Sequence, residues 1–185
     1  MTGRRASTIV PLPSRPVRLD VDPAFDVMRR LDPAELPPTL STVLGDDRPT
    51  YVLPAGGSEG EVAAWRELAS AWQRGKADAR LVLDSDLATL PEGSVWVLGW
   101  PNRFAPAVLD RLGGQGVKVT PEAVAVGREQ LARAGLSLVL VARHPARPEH
   151  AVALVAADPS AAIAGLGRKL PHYGKYGYLG FRGEA

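Results

Sequence analysis

The spacing of apolar positions changes period several times along the chain, and each change marks a new element. Val17, Leu19 and Val21 alternate with Arg18, Asp20 and Asp22, the period of a short half-buried strand that Asp22-Pro23 ends. Between Ala24 and Gly45 two short helical turns are expected, each opened by an Asp-Pro or Pro-Pro pair, because proline at the first helical position loses no hydrogen bond. Strands and helices alternate from Thr50 onward. Tyr51 to Leu53 reads as a strand, then a glycine-rich turn, then a helix from about Glu59 to Arg74. Val62, Trp65, Ala69 and Trp72 recur at helical spacing and put both tryptophans on one core-facing stripe. Ser58 and Glu61 have the spacing of a capping box, and Gly75 supplies the stop.

Leu81 to Leu83 and Val95 to Leu98 are the next strands, and Pro106 to Leu112 is a short helix closed by Gly113-Gly114. In the stretch from Val117 to Val126 the helix-start signal Thr120-Pro121-Glu122 competes with four valines, and the valines favour strands. Leu138 to Val141 and Val152 to Val155 read as a hairpin whose loop contains His144, Pro145, Pro148 and His150. Asp158-Pro159 opens a helix that runs to Leu170, Pro171 stops it, and Tyr176 to Phe181 forms a last strand. The expected fold is therefore α/β, a single three-layer, Rossmann-like domain with a mixed, mainly parallel sheet and one antiparallel hairpin. The Trp65 helix should lie on one face and the Ser160 to Leu170 helix on another. Residues 1–16, rich in Pro, Ser and Arg without periodicity, read as a flexible lead or linker, which leaves 17–185 as the domain.

Composition narrows the function classes. With 185 residues, 23% charged and 45% hydrophobic, the chain can bury a core without staples. It has no cysteine, which removes thiol nucleophiles and cysteine-ligated metals and leaves the redox compartment open. The formal charge of +2 is spread along the chain, so nucleic acid is not an expected partner. No apolar run approaches the roughly 20 residues of a membrane span. Arg4 and Arg5 precede Ile9 and Val10, but Pro11, Pro13 and Pro16 interrupt that patch, so no export signal is expected.

Candidate chemistry is sparse. Gly56-Gly57-Ser58-Glu59-Gly60 fits a G-x-S-x-G nucleophile elbow between strand and helix, with Asp84 and Asp86 and then His144, His150 and His172 following in the chain order of an α/β-hydrolase triad. The plainer reading makes Ser58 the N-cap of the Trp65 helix. A phosphate cradle in the same loop is opposed by Glu59 and Glu61 and by the missing Walker lysine. The three histidines have no metal-ligand spacing; neither a metal nor a cofactor is expected, and His144 and His150 read as exposed loop residues. Asp84-Ser85-Asp86 and Asp46-Asp47 read as turn formers. The tail from Lys169 to Phe181 interleaves basic and aromatic residues and loosely resembles an RNA-binding strand, but its aromatics are expected to pack on the core. Its four glycines between Gly174 and Gly183 suit a close backbone approach.

Two longer stretches, Asp20 to Pro38 (DVDPAFDVMRRLDPAELPP) and Arg168 to Leu179 (RKLPHYGKYGYL), resemble the accessory region that follows the peptidase portion in bacterial gluzincin aminopeptidase-like proteins. Val95-Trp96-Val97-Leu98-Gly99-Trp100 fits the same picture. Met28 stands where an aromatic is expected and Gly177 where a serine is. Gluzincin hydrolysis needs an HExxH pair holding zinc, and this chain has none, so the resemblance implies a noncatalytic, peptidase-associated interaction domain. Its binding residues are then expected to be Arg29, Arg30, His172, Tyr173 and Lys175, lining a small groove for an upstream or partner protein domain, a peptide or a carboxylate. The competing expectation is a serine hydrolase or esterase that uses Ser58.

Overall fold

The computed structural model describes residues 7–183 apart from 17, 18, 21, 25, 27, 29–35, 77, 114 and 115. The chain divides into two units, residues 1–32 and 33–185. In the first, Asp22 takes a left-handed conformation, φ 56°, which aspartate tolerates better than most residues, and its carboxylate accepts from the Asp26 amide at 2.8 Å. The strand expected over 17–21 lies partly outside the described residues. Leu19 and Asp20 belong to no strand, and Leu19 is 85% exposed. Alternation alone does not make a strand without a ladder to join.

The second unit is an α/β fold with a mixed six-stranded sheet and a separate three-stranded antiparallel sheet. Its elements run α1 (Leu40–Leu44), β1 (Thr50–Leu53), α2 (Glu59–Gln73), β2 (Arg80–Leu83), β3 (Val95–Leu98), α3 (Ala105–Gly113), β4 (Val117–Val119), β5 (Ala123–Val126), β6 (Glu129–Ala132), β7 (Leu136–Arg143), β8 (Ala151–Ala156), α4 (Ile163–Lys169) and β9 (Tyr178–Arg182). The large sheet has the order β2-β1-β3-β8-β7-β9. Strands β2, β1, β3 and β8 are parallel, and β7 pairs antiparallel with both β8 and β9. The central strands β1, β3 and β8 are buried throughout, as their unbroken apolar runs require of strands covered on both faces.

The two faces have different covers. Leu53, Trp96, Leu98, Val139 and Val155 face Trp65 and Leu68 of α2 together with Ile163 and Leu166 of α4. On the other face Val52, Val97, Leu140 and Leu154 meet Phe104, Val108 and Leu112, around and within α3. This corrects the expectation that the Trp65 helix and the Ser160 to Leu170 helix lie on opposite faces. The Trp72 indole donates to the Gly167 carbonyl at 2.9 Å, and a Cβ on Gly167 would touch Leu68 at 3.4 Å. The cause is topological. Helix α2 leads from β1 to β2 on one side, whereas α4 leads from β8 past β7 to the parallel β9 on the other. Both use the same face, so the two crossovers have opposite hands, and one departs from the right-handed rule.

The stretch 117–126 resolves into the two strands β4 and β5, paired antiparallel, and β6 completes their small sheet. Sequence reading misses β6, because Leu131 is its one large apolar residue. In β9 the strand begins at Tyr178 rather than Tyr176. Leu179 and Phe181 pack against the core, while Tyr176 and Tyr178 are 41% and 61% exposed. Tyr178 and Phe181 differ by an odd number of positions, so a strand must send them to opposite faces.

Candidate functional site

In open α/β sheets ligands bind at the carboxyl ends of the strands where the winding reverses. Here that point lies between β1, which leads to β2, and β3, which leads toward β8. Loops 54–58 and 99–103 meet there, tied to the chain through Asp84 and Asn102, while the buried Trp100 indole N–H has no partner among the described residues. The Asp84 carboxylate, 3% exposed, accepts from the Ala55 amide and the Arg103 amide, both at 2.8 Å, and so ties the two loops together with charge-assisted bonds. The Asn102 amide group donates to the Val52 carbonyl at 2.9 Å and the Leu98 carbonyl at 3.2 Å, and its oxygen accepts from the Phe104 amide at 3.1 Å. Sequence reading missed Asn102 entirely and took Asp84 for a turn former.

At Gly99 the two loops pack closely. Gly99 adopts φ +82°, and a Cβ there would stand 2.9 Å from Pro54 Cγ and 3.0 Å from Trp65 Nε1. Ser58 behaves as a cap, its Oγ accepting from the Glu61 amide at 3.3 Å. Only half of the expected capping box is reciprocated in side chains, since the Glu61 carboxylate instead accepts from the Trp65 indole at 3.3 Å.

The histidines lie away from Ser58. His144 follows β7, whose last residue Arg143 pairs with the first residue of β8, so it sits at the amino end of the parallel strands, opposite Ser58. His144 is not the exposed loop residue expected but is 3% exposed. Its Nδ1 accepts from the Ala146 and Arg147 amides at 3.2 and 3.1 Å, which leaves the proton of the neutral ring on Nε2, donated to the Pro91 carbonyl at 2.9 Å. Burial pushes this imidazole below its usual range, and the neighbouring His150 and Arg147 act in the same direction. His150 Nδ1 lies 3.6 Å from Asp46 Oδ2. Burial alone would raise the Asp46 carboxyl, but hydrogen bonds from Arg48 and Ser94 outweigh it and hold the group below its ordinary value.

Of the residues expected to form a binding groove, Arg29 and Arg30 lie outside the described residues. His172 is exposed in a short turn of 3-10 helix after α4. Tyr173 is half-buried, its ring 5.9 Å from that of Tyr176 and edge-on to Phe181 at 5.8 Å, so it packs on the core. Lys175 does line a groove, of about 460 Å³, beside Tyr178 and Pro38 and over Leu112, Val126 and Leu140. His172 and Tyr173 do not line it. The glycines around Lys175 serve close approach to the chain itself. A Cβ on Gly177 would come within 2.7 Å of the Pro38 carbonyl, and one on Gly174 within 2.5 Å of Ser41 Oγ.

No family model matches this chain, and no curated protein matches it.

Proposed function

We propose that this chain is a noncatalytic accessory domain that works by binding a partner, of the kind that follows the peptidase portion in bacterial gluzincin aminopeptidase-like proteins. The observation that carries the reading is the carboxyl end of the sheet. Ser58, Asp84 and Asn102 each hold the chain's own backbone there, and Gly99 has Pro54 and Trp65 against it. Side chains committed in this way stabilise loops; they do not present a nucleophile and its base.

The tail supports the same reading. Gly174 and Gly177 are accounted for by contacts with Ser41 and Pro38, and Tyr173 and Phe181 by the core. His172, Lys175 and Tyr178 remain exposed on a segment whose backbone is held firmly, the usual arrangement for residues that bind. The partner expected is a protein domain carrying the HExxH centre that this chain lacks. Titration calorimetry of the chain against such a peptidase portion tests this. Saturable one-to-one association is expected, weakened about tenfold or more by His172→Ala combined with Lys175→Ala at an unchanged thermal midpoint. Association that ignores both substitutions, or no association at about 100 μM, would contradict it.

A further inference from the structure

The groove beside Lys175 has the composition of a ligand site. Its volume of about 460 Å³ falls in the range of small-molecule pockets. Its floor is aliphatic and well buried, Leu112, Val117 and Leu140 being 3%, 6% and 1% exposed. Polar side chains are confined to Thr39, Lys175 and Tyr178, and no acidic side chain lines it among the described residues. Lys175 makes no ion pair among the described residues; its ammonium stands 5.2 Å over the Tyr176 ring.

The loop that presents this ammonium is fixed on both sides. The Gly174 carbonyl accepts from the Ser41 amide at 2.8 Å, the Tyr176 carbonyl from Leu40 at 2.9 Å and the Gly177 carbonyl from Val141 at 2.8 Å. Lys175 is therefore held at the groove by its backbone, and among the described residues its charge meets the Tyr176 ring but no carboxylate. Tyr178, 61% exposed, places a second hydrogen-bonding group beside the same groove.

We infer that this groove binds an apolar chain ending in a carboxylate, with the hydrocarbon over Leu112, Val126 and Leu140 and the carboxylate at Lys175 and Tyr178. One ammonium and one phenol match a single carboxylate, and the floor offers nothing to a second polar group. The inference rests on the reading of this chain as a binding domain and names the ligand class of one of its surfaces. A free aliphatic acid and the C-terminal carboxylate of a peptide ending in apolar residues share this chemistry.

The test uses the full chain with butanoate, hexanoate and octanoate as probes, followed by calorimetry and by the methyl resonances of the groove. Binding should tighten about fourfold per methylene over the series. The shifted methyl groups should be those of Leu112, Val126 and Leu140. Octan-1-ol and octanamide should bind at least tenfold more weakly than octanoate. Lys175→Met, which keeps the apolar stem at an exposed position, should remove that preference without moving the thermal midpoint, and Tyr178→Phe should reduce it. N-acetyl-Leu-Leu compared with its C-terminal amide separates the two sources: preference for the free carboxylate identifies a peptide end, and binding of octanoate alone identifies an aliphatic acid. Equal affinity for octanoate and octan-1-ol, an undiminished preference in Lys175→Met, or methyl shifts elsewhere would overturn the assignment. Loss of octanoate binding with intact association to the peptidase portion would overturn this inference alone, whereas the reverse pattern would overturn the partner and leave the groove.

Discussion

At the scale of single residues, the buried polar side chains of Asp84, Asn102, Ser137 and His144 each hold backbone that is distant in sequence. Asp84 bridges amides 29 residues before it and 19 after it. Asp84→Ala should cost about 3 kcal/mol in urea denaturation, since two amides lose a charged acceptor. Asp84→Asn, which retains one acceptor oxygen, should cost roughly half that. His144 makes a pH-dependent contribution whose sign follows from its lowered value. As pH falls below the ordinary imidazole value of 6.5, the unfolded chain binds a proton before the folded one does. Stability is therefore full above that pH and declines as pH falls toward the folded value. Denaturation midpoints measured from pH 7.5 to pH 5 should show this decline, and His144→Gln should flatten it. None of this was legible in sequence, because Ala55 and Pro91 become partners of these side chains only through folding. Ser58 was legible, because a cap is decided within four residues.

At the scale of elements, α2 matches its sequence pattern to within one residue, from its capping serine to Gly75 in the left-handed region at φ +88°. Its regular apolar stripe and its strong start and stop signals made this so. The tail was harder to read. Gly174 and Gly177 look like freedom in the sequence and are contacts in the structure, since what matters is the proximity of Ser41 and Pro38. A pair of substitutions separates these meanings. Gly177→Ala drives a methyl against the Pro38 carbonyl and should destabilise by about 2 kcal/mol. Gly60→Ala, on α2 with nothing within 4 Å, should stabilise by about 0.5 kcal/mol through helix propensity. Thermal midpoints of the two variants should move in opposite directions.

At the scale of the whole molecule, the α/β class follows from strands and helices alternating after Thr50, and that much was legible. The valines of 117–126 made β4 and β5 legible despite a false helix start, but not β6, which carries little apolar signal. The placement of α4 on the face of α2 depends on a crossover against the usual hand, which no local pattern encodes. The same distinction applies to function: a G-x-S-x-G match is local, but a triad is a long-range arrangement, and here the histidine after β7 stands at the opposite end of the sheet from Ser58. The most direct measurement is made on Ser58→Ala, following activated-ester turnover and stability in the same preparation. If Ser58 is a cap, the variant loses about 1 kcal/mol of stability and its turnover, at whatever level the wild type shows, does not change. Turnover abolished by Ser58→Ala in a fold of undiminished stability would contradict the account.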